Sequence, residues 1–338
     1  MKKLLILVML CAVVSGGAFA QLVWNGEFYT GLEFSSPHGS DEYITQNHTD
    51  HHETKGPTQF DLTGTYTGGI FGVKLDTLFQ DVAGNEVSLV GAYGWVNFLD
   101  DQVRLSLGKI SDGVWVTSLE KEHVLDKNIR GFRVEFKPRF LGGLNLGAAF
   151  PAGDSGDTSY DGEEFANGMI LGASYIHPLF NTVAAYDRGG VGRVIFGFNY
   201  TGIYELTDAG IEIDYRDLTD TWDSGGSVTI DEKIGYRIMR PLTVSLHASQ
   251  TVYGDSDTDI NLLFNPEVSY RLTPSLTAGL EAELQSPDYF TTINLDLVPY
   301  VDYALSGGAY IYLQYRLHMA DMKNPDHSVG LGLTLISF

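Results

Sequence analysis

The residues best suited to bind a metal lie in one histidine-rich segment, residues 35–58. Imidazole nitrogens beside carboxylates are ligands for zinc, nickel or copper. The segment contains both kinds of side chain: His38, His48, His51, His52, Asp41, Asp50 and Glu53. Their spacing is irregular, however, and no periodicity places them on one rigid element. We therefore treat His48, His51 and His52 as weak candidates and expect no metal site and no cofactor.

A second cluster, Asp255, Asp257 and Asp259, resembles the first ligands of a calcium-binding loop. Ile260 occupies the position at which such a loop requires glycine. In addition, no glutamate closes the twelve-residue motif. The spacing therefore excludes an EF-hand.

The sequence contains none of the common local catalytic motifs, G-x-S-x-G, H-E-x-x-H, G-x-x-x-x-G-K-[ST] or G-x-G-x-x-G. His247 and His318 could act as general bases, but Ser, His and Asp scattered over many strands produce chance triples. We interpret both histidines as polar lining. We expect no enzymatic activity, and a surface hydrolase is the third of three functional hypotheses.

The elements that position these residues are strands in which apolar and polar side chains alternate. Residues 308–318 show the pattern, with five apolar side chains on one face: Ala309, Ile311, Leu313, Tyr315 and Leu317. Residues 292–303 and 275–284 repeat it. Each run has the length of a tilted membrane strand, about 9 to 11 residues. Alternation also suits a soluble sandwich, so other features must discriminate.

Residues 1–20 are typical of a secretory signal peptide. Lys2 and Lys3 precede an apolar run, and Ala18-Phe19-Ala20 matches an A-x-A cleavage site. We expect one mature domain, residues 21–338, without the single cysteine Cys11 and hence without disulfides. No later segment approaches the roughly 18 consecutive apolar residues of a membrane helix. A chain that must sit in lipid without such a helix can satisfy its backbone only as a closed barrel.

We therefore predict an all-β fold, a transmembrane antiparallel up-and-down β-barrel. Short turns, such as those near residues 206–208 and 272–274, alternate with longer polar connections, such as residues 217–226 and 319–326. Eight turns and nine loops join 18 strands, which places both termini on the periplasmic side. The strand at Asn181 to Asp187 is weak, so 16 strands is the alternative.

The net charge is −22, from 21 bases and 43 acids, and loss of Lys2 and Lys3 leaves 19 − 43 = −24. Charged strand residues are expected to face the lumen, because a base facing lipid at the midplane costs about 2 to 4 kcal/mol. The main predicted lumen-wall charges are Arg104, Arg133, Glu135, Lys137, Glu212, Asp214, Glu281, Glu283, Asp296, Asp302 and Arg316. Six further charged residues are also predicted to face the lumen: Asp231, Glu267, Arg216, Lys233, Arg237 and Arg271. The predicted total is nine acids and eight bases.

The acidic excess then lies in the external loops, where it would attract cations to the pore mouth. This predicts a mild cation preference. The alternative is that acidic loops only keep the surface soluble and bind divalent ions between neighbouring molecules.

The third long loop, residues 112–128, is the best candidate for a pore constriction. Trp115 and Leu119 are large apolar side chains that favour folding against the barrel wall. The loop also carries the charged residues that would act as a filter: Glu120, Lys121, Glu122, His123, Asp126 and Lys127. The alternative is a loop that packs over the rim.

The hairpin AYGWVNFLDDQVRLSLGKI, residues 92–110, resembles those of bacterial outer-membrane porin-like proteins, particularly the barrels of spirochaetes. The resemblance extends over the mature chain through the leader, the alternation and the terminal Phe338. It implies passive diffusion of small hydrophilic solutes and a surrounding of outer-membrane lipid. It also implies a third external loop folded inward and recognition of the last strand by the barrel-assembly machinery. A homotrimer is one expected assembly.

We therefore predict a porin of the cell outer membrane. The alternative function is an adhesin or structural surface barrel that presents the long acidic loops 35–58 and 151–166. Nucleic acid is not expected as a partner at this negative charge.

Overall fold

In the computed structural model, the protein is a closed antiparallel barrel in which consecutive strands are neighbours around the wall. The structure describes residues 20–45, 48–49, 54–56, 59–80, 86–115, 129–151, 168–188, 192–200, 206–217, 226–254, 260–287, 292–305 and 309–336. Residues 1–19 of the predicted leader therefore lie outside the described residues.

Eighteen strands form the wall. They are β1 (Ala20–Ser36), β5 (Gln59–Gly68), β6 (Phe71–Gln80), β7 (Glu86–Phe98), β8 (Val103–Ile110), β9 (Ile129–Phe136), β10 (Leu144–Pro151), β11 (Ile170–His177), β12 (Phe180–Asp187), β13 (Arg193–Tyr200), β14 (Leu206–Arg216), β15 (Ser227–Met239), β16 (Leu242–Tyr253), β17 (Ile260–Thr273), β18 (Leu276–Ser286), β19 (Asn294–Ala304), β20 (Tyr310–Ala320) and β21 (Lys323–Ile336). Three short strands lie between β1 and β5: β2 (Tyr43–Thr45), β3 (His48–Thr49) and β4 (Thr54–Gly56). The barrel closes because β1 pairs with both β5 and β21.

The alternation seen in the sequence becomes an inward and an outward face of this wall. On β20, Leu313 faces outward and is 50% exposed, whereas the inward Tyr312 and Gln314 are buried. The register carries the same face across neighbouring strands, so that Leu313 lies beside Val301 and Leu331. No helix within the described residues is both long enough and apolar enough to cross a membrane.

The wall differs in height around its circumference. Strands β8 to β13 have 8 residues each, whereas β14 to β21 have 11 to 14. The weak strand predicted at Asn181 to Asp187 lies within β12, which pairs along its full length with β11 and β13. The prediction of 18 strands rather than 16 is therefore confirmed.

Two predicted connections were wrong in position, and a third was slightly displaced. Residues 206–208 belong to β14, and the connection before them falls at residues 201–205, outside the described residues. The predicted turn at residues 272–274 lies slightly later, because β17 continues to Thr273 and β18 begins at Leu276.

The predicted long loop at residues 319–326 is a tight turn at Asp321 and Met322 between β20 and β21. Both residues have left-handed backbones, with φ of 48° and 54°, which matches the twist of a two-residue hairpin. The polar residues after the turn had suggested a loop, but they continue β21 and pair with β20, as His327 does with Leu317.

Candidate functional site

The third loop starts inside the barrel. Residues 111–115, here called the loop anchor, follow β8 and contact inward-facing side chains of five other strands, β6, β7, β9, β10 and β11. These contacts are polar at the beginning of the anchor and apolar at its end. The anchor therefore crosses the inner wall instead of extending over the rim.

The polar contacts of the anchor centre on Asp112. Its carboxylate accepts hydrogen bonds from Lys74 Nζ on β6 and the Tyr93 hydroxyl on β7, both at 2.6 Å. Its backbone carbonyl accepts a hydrogen bond from Arg133 on β9 at 2.6 Å. Burial alone would raise the pKa of Asp112, but the hydrogen bonds from Lys74 and Tyr93 and the positive charges of Lys74 and Arg133 hold it below its usual value.

A second set of polar contacts ties the start of the anchor to β6. The Ser111 hydroxyl donates to Asp76, which also accepts a hydrogen bond from Thr63 on β5 at 2.7 Å. Lys74 Nζ lies 3.4 Å from the Asp76 carboxylate. Lys74 thus links the carboxylate of the wall to that of the loop.

The end of the anchor is fixed by Trp115, which is buried with 1% of its surface exposed. Its indole lies on Gly172 and Gly147, inward glycines of β11 and β10, where an added Cβ would overlap the ring. The carbonyl of the preceding Val114 accepts a hydrogen bond from Ser174 of β11 at 3.4 Å. Glycine is needed at both wall positions because an added Cβ would overlap the indole at Gly172 and both the Val134 carbonyl and the indole at Gly147.

Trp115 belongs to an apolar cluster on the inner wall. The other members are inward residues of β7 to β13: Tyr93, Trp95, Ile110, Ile129, Ala149, Ile170, Val183, Ala185 and Ile195. Several of these strands are apolar on both faces, as in RVIFGFNY of β13. Such a pattern indicates that a strand is buried on both faces. It could have predicted that the third loop contacts the inner face of these strands.

The inward charges near the anchor form close ion pairs. Glu135 of β9 is fully buried and accepts a hydrogen bond from Lys137 Nζ at 2.6 Å and one from the Asn145 amide at 3.2 Å. Arg133 Nε lies 3.4 Å from the other carboxylate oxygen. The adjacent Arg104 lies over the Trp95 ring at 5.3 Å.

A second set of ion pairs surrounds Asp214 on β14, which is also fully buried. Arg193 of β13 donates two hydrogen bonds to its carboxylate, both at 2.7 Å. Arg216 donates a third at 3.2 Å. We call the inward face of β6 to β14 the paired wall, because Asp76, Glu135 and Asp214 each lie beside a base there. At its edge Glu212 lies opposite Asp231 of β15.

The inward face of β17 to β19 differs, because carboxylates lie beside carboxylates there. The register places Glu267 directly opposite Glu281, and Glu283 directly opposite Asp296. We call this region the acidic strip; its members are Glu267, Glu281, Glu283, Asp296 and Asp302.

Neutral groups supply many of the hydrogen bonds in the acidic strip. Asn265 donates to Glu281 at 2.6 Å, while Ser245 and Tyr300 donate to Glu267. Charged or titratable neighbours include His318 of β20, whose Nδ1 is 2.9 Å from Asp296, and Arg316 of β20 and His247 of β16, which attract Glu283. Neutral donors hold the carboxylates without cancelling their charge.

The structure places all the predicted lumen-wall charges on the inward face. It adds charges that the sequence analysis missed: Glu27, Glu33, Asp61, Asp76, Lys74 and Arg193. The predicted balance of nine acids against eight bases was therefore incomplete. The alternation of apolar and polar residues along their strands already indicated that these side chains face inward.

The six predicted constriction residues lie outside the described residues: Glu120, Lys121, Glu122, His123, Asp126 and Lys127. The same holds for the side chain of His48 and for all of His51 and His52. Among the residues that the structure describes, no group of three or more His, Cys, Asp or Glu side chains is placed to hold a metal ion.

Solved structures similar to this barrel include a bacterial porin. The chain aligns over 94% of its length with 98% of OpdQ from Pseudomonas aeruginosa, at a TM-score of 0.62 and 11% identity. A Rhodopseudomonas blastica porin triple mutant is matched over 93% of this chain and 100% of its own, at a TM-score of 0.52 and 13% identity. A structure of engineered proteins with asymmetric conductivity aligns over 94% of this chain and 100% of its own, at a TM-score of 0.54 and 14% identity.

At these identities the similarity shows a shared barrel fold. No protein-family model and no curated protein matches the chain.

Proposed function

We propose that this protein is a porin through which small hydrophilic solutes and ions diffuse passively across a bacterial outer membrane. The observation that carries the proposal is a closed 18-strand barrel with charged residues on its inner face and apolar residues on its outer face. Barrels of this strand number are wide enough to contain an aqueous channel. The polar face supports passage of water-soluble molecules.

The proposed channel prefers cations. The acidic strip supports this preference because its neighbouring carboxylates are held largely by neutral donors. Acidic loops would add to the effect at the mouth, and the net charge of −22 agrees in sign.

We further propose that the third loop narrows the channel. The loop anchor supports this role, because a segment that begins on the inner wall directs the rest of its loop into the lumen. The constriction residues would then be the charged residues between positions 120 and 127. Because the anchor is fixed to β6, β9 and β11, the constriction would form on the side of the paired wall, opposite the acidic strip.

Export and assembly are proposed from the sequence. Residues 1–20 would act as a signal peptide and residues 21–338 would form one outer-membrane domain. The barrel-assembly machinery would recognise the last strand with Phe338. The predicted homotrimer stays a prediction.

Single-channel recording in a planar bilayer tests the proposal. The refolded barrel is added at two salt concentrations on the two sides, and its fold is checked by heat-modifiable gel migration. We expect stable open steps and a reversal potential biased toward cations; the heat-denatured protein is the matched control. A correctly folded barrel that gives no current would overturn the porin proposal and favour the adhesin. Open steps with an anion-biased reversal would refute the cation preference alone.

A further inference from the structure

One carboxylate, Glu232 of β15, faces outward. It is paired with Ile211 on β14 and Ala248 on β16, which are both on the outward face. Along its own strand the neighbouring outward residues are Ile230 and Ile234. Glu232 is exposed, and it makes no hydrogen bond or ion pair with any residue that the structure describes.

Glu232 lies near mid-height of the apolar outer band. Two outward tyrosines lie on either side of it in depth. Tyr215 lies at the level of its register partner Val228, four residues before Glu232. Tyr236 lies four residues after Glu232 on the same strand. At roughly 3.4 Å per residue and a strand tilt of about 40°, each tyrosine is about 10 Å from Glu232 in depth. The apolar band of such barrels is about 25 Å tall, so the carboxylate would sit close to its centre.

A carboxylate at this depth needs a polar partner, because hydrocarbon offers no hydrogen-bond donor. A second polar residue shares the patch. Gln250 of β16 also faces outward, paired with Ile230 and Leu262, and its amide makes no hydrogen bond within the described part of the chain. The patch thus presents one acceptor group and one group that can donate, on adjacent strands.

The surface around Glu232 is concave. A depression of about 440 Å³ lies on the outer face of β13 to β16 and is lined by Phe198, Ile211, Glu232, Ile234, Leu246 and Ala248. The small side chain of Ala248 beside Glu232 lets another molecule approach the backbone closely, as small residues do at packed membrane interfaces. On β18, β20 and β21 the outward positions carry large residues such as Leu280, Leu313 and Leu331, which are exposed.

We propose that the outer face of β14 to β16 is a docking surface for a second copy of this chain, in which Glu232 of each copy accepts a hydrogen bond from Gln250 of the other. The occupant follows from the chemistry, because a patch that carries both acceptor and donor is complementary to itself across a two-fold axis. This two-fold contact joins two barrels and is distinct from the three-fold contacts of the predicted homotrimer. It rests on the proposed membrane location but not on conductance.

Cysteine cross-linking tests the contact. In a Cys11→Ser background, Ile234→Cys is treated in native membranes with a short bifunctional thiol reagent; Ile234 lines the depression beside Glu232 and is 49% exposed. Leu313→Cys, outward on β20 and 50% exposed, is the matched control. We expect a band at twice the monomer mass for Ile234→Cys and none for Leu313→Cys. Equal yields from the two variants, or a band whose mass shows a different protein, would overturn the proposal.

Two further substitutions test the role of Glu232. Adding Glu232→Leu to Ile234→Cys should lower the cross-linked yield about tenfold, as expected for a loss of about 1.4 kcal/mol of contact. Glu232→Gln, which keeps a hydrogen-bonding oxygen, should retain most of it. Heat-modifiable migration shows that each variant is folded, and single-channel current is recorded separately, so a silent barrel that still cross-links would refute only the porin proposal. Undiminished cross-linking with Glu232→Leu would overturn the assigned hydrogen bond.

Discussion

The paired wall and the acidic strip are built from the same residue types but differ in which charges are adjacent. On the paired wall, Glu135 and Asp214 are fully buried and each lies beside two bases. On the acidic strip, Glu267 faces Glu281 and Glu283 faces Asp296, so acids are adjacent to acids. Close opposite charges cancel at a distance, whereas adjacent like charges add.

This difference assigns separate tasks to the two regions. The paired wall, with its apolar cluster, positions the loop anchor and holds the barrel together. Its ion pairs are buried, so removing one partner would leave an uncompensated charge. The acidic strip contributes little to stability because its carboxylates repel one another, and we propose that it sets the sign of the potential in the lumen.

The largest effect expected from this comparison is on stability. Glu135→Gln should lower the free energy of unfolding by about 3 kcal/mol or more, because it leaves Arg133 and Lys137 beside a neutral amide. Glu281→Gln should lower it by less than about 1 kcal/mol, because the hydrogen bond from Asn265 can persist and a repulsion is removed. Urea titration of the refolded barrel in lipid vesicles measures both. Equal losses in the two variants would contradict the division of tasks.

The next effect concerns the loop. Trp115→Ala should raise single-channel conductance, because it removes about 3 to 5 kcal/mol of packing that fixes the loop anchor to β10 and β11. Gly172→Ala should reproduce the increase, since its Cβ would overlap the indole.

Gly94→Ala is the matched control for this loop prediction. Gly94 faces outward, and an added Cβ there would make only ordinary contacts, the nearest at 3.5 Å. The single-channel conductance of Gly94→Ala should equal that of the unsubstituted protein. If Trp115→Ala and Gly172→Ala also conduct like the parent while remaining folded, the anchor does not control the constriction.

The third effect concerns ion selectivity. The double variant Glu283→Gln/Asp296→Asn removes two adjacent negative charges and should shift the reversal potential toward zero. The matched variant Arg193→Gln/Asp214→Asn removes one charge of each sign from the paired wall and should leave the reversal potential unchanged. Both are measured under the same salt gradient. A larger shift from the second variant would place selectivity on the paired wall.

The fold was largely predictable because alternation is local and survives small errors in boundaries. The inward direction of Glu135, Asp214 and Glu281 follows from it directly. Pairing partners were not predictable, because they depend on register between strands: nothing in the local sequence shows that Glu267 meets Glu281 while Asp214 meets Arg193. The turn at Asp321 was missed because a polar, proline-containing segment was interpreted as a loop although its alternation continued.

The outward direction of Glu232 could also have been predicted from the sequence. The rule that strand charges face the lumen was applied to its neighbours Asp231 and Lys233, and a strand cannot turn three consecutive side chains to one face. The middle residue therefore had to point outward. The sequence already contained this conflict, and only the assignment of a surface around Glu232 required the structure.

The smallest effect expected is that of mild acid on the loop anchor. The pKa of Asp112 is lowered in the folded protein, so its contribution is present above the unfolded value of about 3.9 and is lost as pH falls through the lower folded value. Conductance should therefore show no loop release between pH 7 and pH 5, and an increase only below about pH 4. Asp112→Asn, which loses the attraction to Lys74, should already conduct more at pH 7, and acid should change it less. If the parent instead opens between pH 7 and pH 5, a group other than Asp112 holds the loop, and the paired wall alone does not account for its position.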